Sequence, residues 1–368
     1  MLLSLSSLAN DGAYFASGNQ LIPIAETEIC VTNEILSVIR KTDETGDYVY
    51  VTVEYIFFNP GKAKTILVGF EALSPSGDVN GYPKNGAHPY ISDFDVVMNG
   101  LLLKSKTAIV NSDNYYINNK IAAKTEEEVI TDDFNANEAD FYYVYYFNAN
   151  FKAGKNTITH TYKFDMSGSV TERYSFDYIL TAANRWGNNQ IDDFTLNIDM
   201  GANENFNLIN TFFKDKEDWT IEDGRSLVYK DDYREGAISK FITHSGGITF
   251  KKKDFKPKGE LFLYSPAAYI RLNYDSFDAK LHDLPQNISY ENEEESTSVH
   301  SVNESSFKIL RNLPFALRGY VFKTKFIQDY YLSQSWYKPN PDYISDLKSL
   351  TNEEREWLKT VKANTWSK

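Results

Sequence analysis

The chain has 368 residues, of which 42% are hydrophobic, 15% aromatic and 24% charged, with a net charge of −13. This is the composition of a folded protein with core enough for two or three domains, and it excludes wholesale disorder. The charge is uneven. Phe307–Lys368 carries eleven Lys and Arg against six Asp and Glu, a net of +5, which leaves −18 on the rest. An acidic body repels phosphate, which argues against nucleic acid as a partner. The basic tail reads either as an ordinary helical surface with some Lys on it or as suited to an anionic surface such as cell-wall polymer or lipid headgroups.

Residues 1–9 (MLLSLSSLA) read as the back half of a secretory signal peptide. The apolar run ends in Ser7-Leu8-Ala9, a small-x-small site cleaved after Ala9, although the basic n-region is missing. The other reading is a short apolar first strand. No later run reaches the roughly 18 apolar residues of a membrane helix, so no transmembrane span is expected. The protein is therefore expected to be exported, periplasmic or extracellular. The lone Cys30 excludes an intrachain disulfide and, within IAETEICVTNEI, reads as a small core residue.

From Leu21 to Leu263 apolar and polar residues alternate. Val49, Val51, Val53, Tyr55 and Phe57 share one face, as do Ile158, His160, Tyr162 and Phe164, and Phe194, Leu196, Ile198 and Met200. A period of two marks antiparallel strands with one face in a core. Turns are predicted at Glu44–Asp47, Asn59–Gly61, Ala153–Asn156 and Ser245–Gly247. The fold class expected is mostly β with a small α module: an antiparallel β-sandwich region, one sandwich or two, then a short helical domain. Polar stretches at Ser74–Pro89 and Lys124–Asp140 are expected as surface loops or a short helix. The domains expected are a β-sandwich over 10–204, further strands over 205–282 in the same sandwich or a second, a polar linker over 283–306, and a helical domain over 307–368.

In that last segment, Phe307, Leu310, Leu317 and Val321 follow helical spacing, with a kink or break expected at Pro314. Thr351-Asn352-Glu353-Glu354 is a capping box, followed by an apolar stripe of Trp357, Leu358 and Val361. Leu310-Arg311-Asn312, then Phe315-Ala316-Leu317-Arg318-Gly319-Tyr320, then Trp336-Tyr337 and Pro339-Asn340-Pro341 together resemble the YARHG module of bacterial envelope proteins. The motif departs from the family's own: Phe315 lacks the hydroxyl, Leu317 stands where the family has Arg, and Arg318 where it has His. The resemblance implies an extracytoplasmic protein whose motif is mainly structural, with Gly319 allowing a turn or close packing and Trp336-Tyr337 closing a small core. The body more loosely resembles an uncharacterised secreted β-rich family through Asn10-Asp11-Gly12 and Phe58-Asn59-Pro60.

The residues offer little chemistry. The five histidines, His88, His160, His244, His282 and His300, form no HExxH or HxH pair, so no metal site is expected. No GxSxG elbow, GxGxxG or P-loop occurs, so no nucleophile or cofactor is assigned. Carboxylates such as Asp93 and Asp95 or Asp192 and Asp193 are too numerous to single out a catalytic pair. The acidic loop Glu126–Asp140 lacks EF-hand spacing and reads as a solvated loop. Trp186, in the polar context Ala183–Gln190, is the candidate contact residue outside the tail; the other reading is a ring that caps the sandwich core.

The function expected is an exported, non-catalytic binding or scaffold protein of the envelope. Its partner would be peptidoglycan, another surface glycan or an envelope protein, met through Arg311, Arg318, Tyr320, Trp336, Tyr337 and Trp186. The alternatives are an accessory protein or weak carboxylate-dependent hydrolase, and a protein-interaction module pairing an exposed edge strand with a partner's.

Overall fold

The computed structural model describes residues 12–14, 21–24, 27–44, 46–77, 79–111, 115–130, 141–169, 172–201, 204–230, 236–266, 279, 284, 304–334, 336–352, 354–355 and 358–359. The expected signal peptide, most of the expected linker, and Trp357 and Val361 lie outside them. The strands are β1 (Gly12–Tyr14), β2 (Ile22–Pro23), β3 (Cys30–Asp43), β4 (Gly46–Asn59), β5 (Lys64–Leu73), β6 (Ser76–Gly77), β7 (Ile91–Met98), β8 (Leu101–Leu102), β9 (Lys106–Val110), β10 (Tyr116–Ile117) and β11 (Lys120–Ile121). After the short helix α1 (Glu126–Val129) come β12 (Tyr142–Phe151), β13 (Gly154–Asp165), β14 (Gly168–Ser169), β15 (Glu172–Tyr178), β16 (Ile191–Asp199), β17 (Glu204–Ile209), β18 (Trp219–Lys230), β19 (Ala237–Phe255) and β20 (Leu261–Pro266). Helices α2 (Glu304–Ala316) and α3 (Lys325–Leu332) follow, ahead of a single 3-10 turn at Leu347–Ser349. The protein is mostly β, with its longer helices at the C-terminal end.

Two compact units divide the chain. The β-rich unit holds residues 1–202, 206–241 and 245–266, and the helical unit holds 203–205, 242–244 and 267–368. In the first, an 11-stranded sheet runs β15-β20-β17-β19-β16-β3-β4-β13-β7-β8, with β18 paired to β19 off that path, so the strands after Glu204 extend the same sheet. A 4-stranded sheet, β2-β5-β12-β9, lies face to face with it. Phe70 of β5 meets Tyr162 of β13 at 5.0 Å between ring centroids, and Phe94 of β7 meets Tyr145 of β12 at 4.8 Å. The expected alternation is what fills this core: Val49, Val51, Val53, Tyr55 and Phe57 are all buried, as are Ile158, His160, Tyr162 and Phe164.

Four features depart from the simple pattern. Strand β16 pairs with β3 in parallel, an arrangement that a period of two cannot distinguish from an antiparallel one. The first half of β12, through Tyr146, is covered on both faces, whereas Asn148 and Asn150 beyond it are exposed. Tyr143, Tyr145 and Phe147 enter the main core, while Val144 joins Ala108, Val110 and Tyr115 in a small second core on the other side. The turn expected at Ser245–Gly247 is a bend inside the 19-residue strand β19. There Gly246 has φ +70°, and a Cβ on Gly247 would lie 2.6 Å from the Ile198 carbonyl oxygen. Cys30 is half-buried at the start of its strand and donates to the Glu28 carbonyl at 3.5 Å.

In the helical unit, Ile309, Leu310, Leu313, Ile327, Tyr331, Tyr337, Leu350 and Leu358 form the core. Pro314 does not end α2, which continues to Ala316; the proline sits in the last turn, where a missing N–H costs one bond rather than a helix. Leu284, inside the stretch expected as a linker, belongs to this core. Its N–H donates to Gln334 Oε1 at 3.1 Å and its carbonyl accepts from Trp336 Nε1 at 2.7 Å.

Candidate functional site

The motif residues of the tail converge on a crossing of two chain segments. After α2 the chain turns at Gly319, whose φ is +78°. Its carbonyl accepts from Asn340 N–H at 2.7 Å, and a Cβ there would lie 2.4 Å from the Lys338 carbonyl oxygen. A glycine is needed on two counts, conformation and space. The flanking aromatics tie the crossing down. Tyr337 is buried and donates its hydroxyl to the Tyr320 carbonyl at 2.7 Å, and Tyr331 donates to the Ile309 carbonyl at 2.6 Å. Burial pushes the hydroxyls of both Tyr331 and Tyr337 above the ordinary tyrosine range. These rings supply area and one polar anchor each.

Arg318 forms the unit's strongest polar contact. Its guanidinium grips both carboxylate oxygens of Glu354, at 2.8 and 2.7 Å, and donates to the Pro314 and Ser349 carbonyls. Such fork-to-fork pairs are charge-assisted and fix geometry. Glu354 is also the reciprocal member of the capping box. It accepts from Thr351 N–H at 2.8 Å, and its own N–H donates to Thr351 Oγ1 at 3.2 Å. One carboxylate thus joins the end of α2 to the C-terminal turn, and Arg318 is occupied within the fold.

Of the remaining expected contact residues, Arg311 is exposed on α2, and Tyr320 and Trp336 are half-buried. Trp186 is not at the surface. It is 1% exposed, packs on Phe57 at 4.5 Å and donates its indole N–H to the Leu21 carbonyl at 2.8 Å. The polar residues around it are consumed by turns and strands; Asn188, for example, bonds to Val31 and Asp192. The ring points inward, as the core-capping reading has it. Arg311 is joined at the helical unit's surface by Lys323, Lys338 and Lys348. All four are exposed and none makes an ion pair among the described residues.

Burial shifts the titration of several groups in the β-rich unit, His88, His160 and Cys30 among them. His88 and His160 are buried in the sandwich, and desolvation pushes each imidazole down to about 3. His88 Nδ1 accepts from Tyr90 N–H at 3.2 Å, which leaves Nε2 to donate to the Leu73 carbonyl at 3.1 Å. Burial, and then the charge of Asp192, push the Cys30 thiol up. Among the described residues no group of three or more His, Cys, Asp or Glu could hold a metal, and no helix is long and apolar enough to cross a membrane.

No curated protein is similar to the chain in sequence. A solved structure from Legionella pneumophila, described provisionally as a nutrient-binding protein, superposes with a TM-score of 0.52 at 17% identity, over 96% of this chain and 99% of that one. The structure of yeast LTA4 hydrolase with bestatin reaches a TM-score of 0.30 at 8% identity, over 67% of this chain and 30% of that one, too little to carry an argument. Residues 287–365 match the family model for the YARHG domain. The C-terminal segment that builds the Gly319 crossing thus lies within the match to the YARHG domain, and the chain shares its fold with the Legionella structure.

Proposed function

We propose that this chain is an exported, non-catalytic binding protein of the bacterial envelope, and that its helical unit holds cell-wall glycan. The observation that carries the reading is the set of exposed cations without ion-pair partners among the described residues: Arg311, Lys323, Lys338 and Lys348. Three of the unit's acids are already used, Glu354 by Arg318, Asp329 by Lys325 and Glu304 by Lys308, while Asp342 and Asp346 offset part of the charge beside Lys338 and Lys348. A surface with spare positive charge suits the carboxylates of peptidoglycan stem peptides, and half-buried Tyr320 and Trp336 leave ring surface for sugar. The buried histidines and the raised Cys30 thiol favour binding over catalysis. The description attached to the Legionella structure points the same way, by fold analogy only.

Full-length protein is expected to pellet with purified peptidoglycan sacculi. The variant carrying Arg311→Ala, Lys323→Ala, Lys338→Ala and Lys348→Ala should bind about tenfold or more weakly, and salt should weaken the wild type. All four sites are exposed, so the fold should survive. Failure of the wild type to pellet would overturn the wall-glycan reading in favour of an envelope protein as partner.

A further inference from the structure

Where β4–β5, β7–β8 and β12–β13 turn, one corner of the sandwich has a charge opposite to that of the body it belongs to. Glu28, Asp192, Asp193 and Asp254 stand farther along the same end, at the termini of β3, β16 and β19. Three stretches contain no Asp or Glu: 55–70, 96–112 and 141–164. In a chain of 51 acidic residues, the fold brings the turns of all three together. Gly154 is in register with Asn59 and Lys155 with Phe58, Ile158 with Met98, Met98 with Leu101, and Phe151 with Lys64. Three asparagines staple the turns. Asn59 Nδ2 donates to the carbonyls of Lys62 (2.9 Å) and Lys152 (3.2 Å), which joins two hairpins. Asn156 Oδ1 accepts from Lys152 N–H at 2.9 Å and from Asn99 Nδ2 at 3.0 Å. Asn99 in turn exchanges bonds with the backbone of Thr157, both at 3.0 Å. Asn99 and Gly100, at φ +50° and +82°, make the tight turn between β7 and β8.

This rigid corner displays Lys62, Lys64, Lys152 and Lys155, with Lys104 just beyond β8. None makes an ion pair among the described residues. Among these cations stand apolar side chains that a soluble surface normally covers. Leu101 is 70% exposed, Leu102 69%, Phe58 47% and Val97 37%. Val97 is opposite Leu102, and Phe58 is beside Lys155 on the same outer face. Lysines would suffice for a soluble polyanion. Leucines and a phenylalanine set among lysines match an interface that is anionic at the headgroup and apolar just beneath.

We propose that this corner of the sandwich docks on the surface of an anionic phospholipid bilayer, with Leu101, Leu102 and Phe58 entering the headgroup region and the lysines meeting lipid phosphate. The proposal is independent of the wall-glycan reading, because it concerns a different unit and a different ligand. The experiment is sedimentation of the full-length protein with sucrose-loaded vesicles, either of equal parts phosphatidylglycerol and phosphatidylcholine or of phosphatidylcholine alone. The wild type should bind the anionic vesicles at least about tenfold more tightly than the neutral ones. Lys152→Glu with Lys155→Glu changes the local charge by four, and at about fivefold per charge should weaken anionic-vesicle binding about a hundredfold or more. Leu101→Ser with Leu102→Ser should weaken it about tenfold. Circular dichroism and thermal melting establish that each variant is folded. Absence of wild-type binding to anionic vesicles overturns the proposal, as does binding that survives both variants. Loss with the charge variant alone would also overturn it, identifying a site for a soluble polyanion instead.

Discussion

Replacing Gly319 with alanine is expected to unfold the helical unit's core while leaving the sheets intact. A left-handed backbone costs an alanine on the order of 1–2 kcal/mol. The new methyl would also lie 2.4 Å from the Lys338 carbonyl oxygen and 2.9 Å from Asn340 N and Cβ. Relief requires the two segments to part. That lengthens the 2.7 Å bond from Asn340 to Gly319 and pulls on the neighbouring bond from Tyr337 to Tyr320. Strain and lost packing together should exceed about 3 kcal/mol. Amide hydrogen exchange resolves the effect by segment. Protection across Glu304–Ala316 and Lys325–Leu332 should collapse, with β3, β4 and β13 retaining theirs. Unchanged protection in α2 and α3 would mean that the crossing is more pliant than its geometry implies.

The same crossing shows how far sequence carries. Gly319, Tyr337 and the Thr351–Glu354 box were legible because each has one dominant physical use, and the structure uses each in that way. The inner faces of β4, β13 and β16 were legible for a similar reason, since a strand with one buried side must alternate. Where a segment answers to two neighbours the signal fails. The first half of β12 reads as a nearly continuous aromatic run because it has a core on both sides. Leu284 was lost in a polar stretch because one apolar residue has no period, and Trp186 allowed two readings, contact or core, because its polar neighbours close turns around it. The stapling asparagines belong to three turns far apart in sequence, so only the strand register shows that Asn59, Asn99 and Asn156 form one structure. Each alone is an ordinary turn residue.

Acidification should destabilise the sandwich steeply, and two buried histidines should account for much of the slope. His160 is fully buried between Tyr55 and Tyr162, with ring centroids 5.7 and 6.1 Å away, and neither ring nitrogen has a hydrogen-bond partner among the described residues. His88 bonds only as the neutral ring. Desolvation holds both at about 3, against an ordinary value of 6.5. The folded state therefore refuses a proton that the unfolded chain accepts. Stability is fully present above about pH 6.5, falls as the pH drops below that value, and stops falling on this account below about 3. Each histidine contributes roughly 1.4 kcal/mol per pH unit within the window, so the pair costs about 5 kcal/mol by pH 4.5, comparable to the whole stability of many domains. His160→Phe removes one of the two protonations while keeping an aromatic ring in the stack. Urea unfolding at intervals from pH 7 to pH 4.5 should give a slope shallower by about one proton for the variant, with greater stability at the acid end. Parallel slopes for variant and wild type would show that His160 takes up its proton without unfolding, which requires a polar route into the core between Tyr55 and Tyr162.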